Sequence, residues 1–318
     1  MFKARVLGDF MSLADYDVKH RWNYHPPEEF PSPWASEWGF DEFGLWQSFV
    51  VRGEINGEPK QVTHKMRFIP KGSFLMGSPE GEPGRASDET QHEVELNQGF
   101  WLGGTTVTQD LWQIVMETNK SHFKQEGKEQ LPAENVTISA SKVFCSKLNN
   151  RLPGLRADLP TEAQWEYACR AGTTSPFSIV GSDGEQITLT EVNFDGNYPY
   201  AGRPEFSAVE EMEVMTQQFG EEIKWREKTV DVHLFPANAW GLKQMHGNVW
   251  EWCVDGIRPY KKESVTDPHG GIPKSSTGAA VRGGSCSSGA RHCRSAARST
   301  NLKEQEKYLG LRLACPDR

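Results

Sequence analysis

Thirty glycines and nineteen prolines punctuate this chain. Glycine frees the backbone for turns and proline removes a helical N–H. Many turns are implied, which argues against an all-helical bundle. The core must be assembled from short elements, and sixteen Phe, eleven Trp and seven Tyr supply the large side chains for it. At the usual ~100–200 residues per domain, 318 residues allow one large domain or two modest ones. No apolar run approaches the ~18 residues of a membrane span. A net charge of −8 without a Lys/Arg cluster argues against nucleic acid as a partner.

Residues 1–62 read as an aromatic, proline-containing extension in which Pro26, Pro27, Pro31 and Pro33 break regular structure. Trp34, Trp38, Phe40, Phe43 and Trp46 follow closely, and exposing so many rings is costly. The extension is therefore expected to pack on the main domain, taken as 63–318. A hairpin is expected over 47–69, turning at Asn56-Gly57. Strands are expected at 66–70, 73–77 and 92–102, with a polar loop over 78–91. Three amphipathic helices follow, starting at Thr108, at Ser139 or Ser141, and at Thr161. The last has Gln164 three residues on, a capping-box pattern, and Gly172 to stop it. Residues 204–223 hold six Glu and no Lys or Arg, and read as a solvated insert or an acidic docking face. Later strands are expected at 281–285, 293–298 and 309–314.

Six cysteines scattered over such a length are no small disulfide scaffold, and the absence of a C-x-x-C pair excludes a zinc ribbon. The first ten residues are too broken for a signal-peptide core. On sequence alone the chain is cytoplasmic, unless an export signal is missing from it.

Several phrases are far more specific. They are Leu159-Pro160-Thr161-Glu162-Ala163-Gln164-Trp165-Glu166-Tyr167, Gly247-Asn248-Val249-Trp250-Glu251-Trp252, Arg282-Gly283-Gly284-Ser285, Cys293-Arg294-Ser295-Ala296 and Leu309-Gly310-Leu311-Arg312. In this order, over about 63–314, they resemble the formylglycine-generating-enzyme (sulfatase-modifying factor) family. The resemblance implies an α+β, C-type-lectin-like fold with little regular structure, small antiparallel sheets and two or three helices.

It also implies chemistry to be tested against the residues. Catalytic members hold copper(I) between two cysteines after the Gly-Gly-Ser strand, and soft thiolates suit that ion. Here Cys293 stands at the second position but Ser288 at the first, and Cys286 has the wrong spacing. No enzyme activity is therefore expected. A second branch of this resemblance works with non-haem iron behind a histidine-bearing helical domain, which the lead-in lacks. An irregular copper pair of Cys286 and Cys293 is the remaining enzymatic alternative, and the resemblance also implies calcium, with Asn248 and Glu251 as oxygen ligands. Asn193, Asp195 and Asn197 form another oxygen-rich run that also reads as a turn. Family enzymes bridge cysteines near Cys145 and Cys169 to the last strands. Cys169–Cys293 and Cys145–Cys315 are the pairings this implies, beside the alternative of buried free thiols.

Within 281–314 a family-like framework alternates with small polar residues: Cys286, Ser287, Ser288, Gly289, His292, Ala297, Ser299, Thr300 and Asn301. This split is similar to the variable proteins of diversity-generating retroelements. Each of these positions carries a residue that adenine-directed change of an asparagine codon can produce. The resemblance implies a receptor-like protein on a bacterial surface, lipid-anchored and monomeric, binding a protein or carbohydrate and requiring no cofactor. Trp240, Trp250 and Trp252 are candidates for the border of the site. With no Tyr or Trp among the nine, the pocket is expected to be shallow and polar.

Overall fold

The computed structural model describes residues 3–5, 10–12, 26–124, 130–202, 225–273, 278–300 and 307–317. The acidic insert 204–223 and Asn301 lie outside them. After a short ribbon of β1 (Lys3–Arg5) and β2 (Phe10–Ser12), the chain builds β3 (Glu37–Asp41), β4 (Gly44–Ile55) and β5 (Glu58–Ile69). The hairpin β4–β5 turns at Asn56-Gly57, both at positive φ (53° and 82°), and pairs from Ile55–Glu58 out to Trp46–Arg67. Positive φ at both turn residues matches the right-handed twist of the strands, and an Asn-Gly pair tolerates it.

The stretch expected as one strand over 92–102 is two. β7 (His92–Leu96) joins β6 (Gly72–Met76) and β10 (Val265–Thr266), while β8 (Phe100–Gly103) crosses to the largest sheet. That sheet runs β14-β8-β5-β4-β3, with β14 (Ala314–Pro316) at one edge. Helices α1 (Gln109–Met116) and α2 (Ile138–Arg151) cover it. Phe49, Met66 and Trp101 of the sheet bury with Leu111, Trp112, Phe144 and Leu148 of the helices. Trp34 joins this core edge-on to Trp101, with ring centroids 6.3 Å apart. The extension thus supplies core and strands to the main sheet, and residue 62 lies inside β5.

Thr108 caps α1 and Thr161 caps α3 (Glu162–Arg170), the latter through the full capping box with Gln164. The cap of α2 is Thr137, not Ser139 or Ser141. Its hydroxyl takes the Ala140 N–H at 3.1 Å, whereas Ser141 already sits inside the helix and donates back to the Thr137 carbonyl.

The third sheet, β12-β11-β9-β13, carries the C-terminal motifs. β9 (Trp250–Gly256) and β11 (Ala279–Arg282) form its middle, with β12 (Arg298–Ser299) and β13 (Leu309–Gly310) outside. Strand β11 ends at Arg282 because Gly283 and Gly284 follow at φ 97° and 74°. The strand expected over 293–298 reduces to β12. The Arg282 guanidinium donates to the carbonyls of Ser295, Ala296 and Ala297, which take a side chain instead of a neighbouring strand. The expected strand at 309–314 splits, since β13 pairs with β9 and β14 with β8.

Candidate functional site

The C-terminal segment starts where the two glycines turn the chain off β11. The Ser288 hydroxyl accepts the Ser285 N–H at 3.1 Å and lies 2.9 Å from the Ser285 hydroxyl, so the turn is closed on itself. Past it, a 3₁₀ turn over Ala290–Cys293 tucks Ala290 and Cys293 into a small core with Phe177, Phe194 and Tyr200. Two backbone bonds lay the segment along a second turn: Asp195 N–H to Ser288 O and Ala290 N–H to Tyr198 O, each 2.9 Å. In that second turn Asp195 Oδ1 accepts from both the N–H and the Nδ2 of Asn197, at 3.0 and 2.9 Å. The oxygen-rich run is thus a side-chain-closed turn.

Loop 78–91 forms the far side, held by Arg294. Its guanidinium donates to Glu82 Oε1 (2.5 Å), to both carboxylate oxygens of Glu89 (2.9 and 2.8 Å), to Gly84 O (2.8 Å) and to Arg291 O (2.9 Å). The two carboxylates respond differently. Burial raises the pKa of Glu82 despite Arg294, whereas at Glu89 Arg294 together with bonds from Ser78 and Ala86 outweighs burial and the pKa falls. Arg282 is likewise buried, against Glu166, and Arg298 against Glu162. Arg282, Arg294 and Arg298 are internal ties, whereas Arg291 is exposed at the cleft.

Between these walls lies a cleft of about 900 Å³. Five of the expected residues line it: Ser287, Ser288, Gly289, His292 and Ser299. Trp250 lines it too, 6.4 Å from the His292 ring. Its indole N–H is buried without a hydrogen-bond partner among the described residues. Burial, then Arg291 and Arg294, lower the pKa of His292, and the Arg291 Nε donates to its Nε2 at 3.0 Å. Asp195 and Asn197 of the oxygen-rich run line the cleft as well, with Pro83, Gly84, Tyr198 and Arg291 among the other wall residues. With Trp250 and Tyr198 in its lining, the pocket is not purely polar. Sequence reasoning missed Tyr198 because it sits in the Asp-Gly-Asn turn, far along the chain from the segment it meets. That turn was the only signal available.

Other expected residues sit elsewhere. Trp240 packs edge-on against Tyr167 at 4.9 Å, and Trp252 donates to Val136 O at 2.9 Å within the main core. Neither borders the cleft. Cys286 and Ala297 are buried, and their carbonyls accept from Trp225 and from Arg282. Thr300 is exposed and is not among the cleft-lining residues.

The calcium ligands do not fit. Asn248 Oδ1 accepts from Asn193 Nδ2 and Val230 N–H, both at 3.0 Å, and its amide donates to Gln244 and Val230. Glu251 accepts Trp165 Nε1 (2.7 Å) and two donors of the buried Arg312 (2.9 and 2.7 Å). Both side chains are fully engaged inside the protein. Among the described residues, no three His, Cys, Asp or Glu side chains gather as a metal site.

Copper(I) fits no better at the family position. The six cysteines are buried and unpaired. Burial pushes the Cys286 thiol up to about 12 and Cys293 higher still. At the first family position stands Ser288, whose hydroxyl is closed on Ser285 and is no soft ligand.

Residues 51–316 match the model of the Sulfatase-modifying factor enzyme 1-like domain. A formylglycine-generating enzyme of Streptomyces coelicolor is 31% identical over 163 residues, covering 49% of this chain and 46% of that one. The chain thus spans less than half the length of that relative. Among solved structures, Treponema denticola variable protein 1 superposes with a TM-score of 0.60 at 24% identity, covering 84% of this chain and 99% of the other. PvdO from Pseudomonas aeruginosa gives 0.60 at 23%, covering 79% and 94%. These likenesses show a shared fold, and the match over most of the length places the chain in the sulfatase-modifying factor enzyme 1-like family.

Proposed function

We propose that this protein is a non-enzymatic, receptor-like binder whose cleft takes a protein or carbohydrate ligand. We propose further that a diversity-generating retroelement varies the residues lining that cleft. One observation carries the reading. Within 282–299 the family-like arginines 282, 294 and 298 are internal ties, while Ser287, Ser288, Gly289, His292 and Ser299 face one cleft. Exchanging the exposed Ser287 or His292 costs little folding energy, whereas exchanging the buried ties would unfold the site. A fold neighbour that is itself a variable protein supports the reading.

Ser288 at the first copper position supports a reading without catalysis. The alternative, a copper-dependent oxidase of protein cysteines, is favoured by the enzyme relatives. No helix among the described residues is long and apolar enough to cross a membrane. A lipid-anchored, monomeric protein on a bacterial surface, needing no metal, completes the proposal.

Deep sequencing of the 3′ end of the gene and its flanks across a growing population tests this. The expected result is substitution confined to the codons of 286–289, 292, 297 and 299–301, at adenines of a nearby template copy. A uniform 3′ end with no template removes the diversification. Turnover of a cysteine peptide with copper(I) would overturn the binder.

A further inference from the structure

We propose that residue 289 sets the position of Tyr198, and through it the shape of the cleft. One side chain of the C-terminal segment would then act on specificity by moving a ring on another loop. The binding half of this statement rests on the cleft being the ligand surface; the steric half does not.

Gly289 lies between the two backbone bonds that join the segments, Asp195 N–H to Ser288 O and Ala290 N–H to Tyr198 O. Its backbone, at φ −61° and ψ 156°, suits any residue. Glycine is required there by crowding alone. A Cβ on residue 289 would stand 2.7 Å from the Tyr198 Cβ and 3.4 Å from the Tyr198 carbonyl oxygen. Ordinary contact begins at 3.4 Å, so the two chains must separate by ~0.7 Å. The obstacle is a Cβ, which moves only with its backbone, and no rotamer change relieves it.

The base of the Tyr198 turn is stiff. Phe194 and Tyr200 are buried in the small core, the Tyr200 hydroxyl donates to Pro83 O at 2.8 Å, and Asp195 closes on Asn197. On the other side, Ser288 is fixed to Ser285 and Ala290 is buried. The tip is the soft part: Tyr198 is 67% exposed and lines the cleft. Displacement therefore goes into Tyr198, and the Ala290–Tyr198 bond is the first to break. With glycine at 289 the ring lies against the segment, which suits a ligand presenting a flat or apolar face to an exposed tyrosine. A neighbouring position behaves differently: Ser287 is exposed, and its substitution changes the surface without moving the turn.

The experiment compares the wild type with Gly289→Ala, Gly289→Ser and, as control, Ser287→Ala. The first readout is amide exchange at Ala290. A rise of about tenfold or more in both 289 variants, with Ser287→Ala unchanged, is expected. Exchange at Ala290 that is equal in all four proteins overturns the proposal. The second readout uses peptides from a random phage library, selected on the wild type and counter-selected on Tyr198→Ala so that only cleft binders remain. At least tenfold weaker binding to Gly289→Ala is expected. Undiminished binding to Gly289→Ala refutes the role in specificity even if the turn has moved. If no peptide survives counter-selection while Ala290 exchange rises, the cleft reading falls and the steric coupling stands.

Discussion

Replacing Arg294 with Met removes the tie between loop 78–91 and the C-terminal segment. Arg294 is about 1% exposed, and all its bonds go to protein oxygens, three of them to carboxylate oxygens of Glu82 and Glu89. Counting each charge-assisted bond at ~1.5–3 kcal/mol would put the loss near ~5–9 kcal/mol. Proton uptake sets a lower ceiling. An orphaned carboxylate with an ordinary pKa of 4.5 can neutralise itself at pH 7 for about 3.4 kcal/mol. Part of the loop can also turn its carboxylates to solvent. The expected loss is therefore about 3–5 kcal/mol at neutral pH, as for breaking other buried pairs. It should shrink to ~1–2 kcal/mol near pH 5, where neutralising each carboxylate costs under ~1 kcal/mol. The sign follows from Glu89. Its pKa is held down in the folded wild type, so its contribution is present above the unfolded value and vanishes as pH falls through the folded one. Urea unfolding followed by tryptophan fluorescence, at about pH 5 and about pH 7.5, measures both losses. Tryptic cleavage after Arg85, within the released loop, reports local opening. A loss under ~1 kcal/mol at neutral pH, or one independent of pH, would refute the reasoning.

Other consequences concern buried titratable groups. Burial raises the Glu134 pKa to about 7, so its penalty grows as pH rises from 4.5 toward 7. Glu134→Gln should gain about 2–3 kcal/mol at pH 8, measured by urea unfolding, with little change near pH 4.5. Burial lowers His246 to about 4 and His64 to about 3. Stability that is complete above 6.5 should then fall by about 3 kcal/mol for His246 alone as pH drops to 4. A thermal midpoint that stays level from pH 7 to 4 would contradict this. The high thiol pKa values and burial predict that no cysteine reacts with iodoacetamide in the native protein and that all six react on unfolding. Native labelling of Cys286 or Cys293, read by mass spectrometry, would reopen the copper reading.

Local rules decided much of this protein from sequence alone. The Asn56-Gly57 hairpin, the Thr108 cap and the Thr161–Gln164 capping box are encoded within a few residues and appear as expected. So do the family and its fold, because the motif phrases are long and ordered. What failed was decided by distant contacts. Whether 293–298 forms a strand depends on the Arg282 guanidinium taking its carbonyls. Whether Asn248 and Glu251 are free for a cation depends on Gln244, Val230, Trp165 and Arg312. Trp250 and Trp252, two residues apart on one strand, share a face in the alternating pattern. One nevertheless lines the cleft, while the other bonds to Val136. Above all, the cleft pairs residues 287–292 with Tyr198 and Gly84. Composition and periodicity describe each segment by itself; only the packed chain brings these three together and turns small polar residues into one wall of a site.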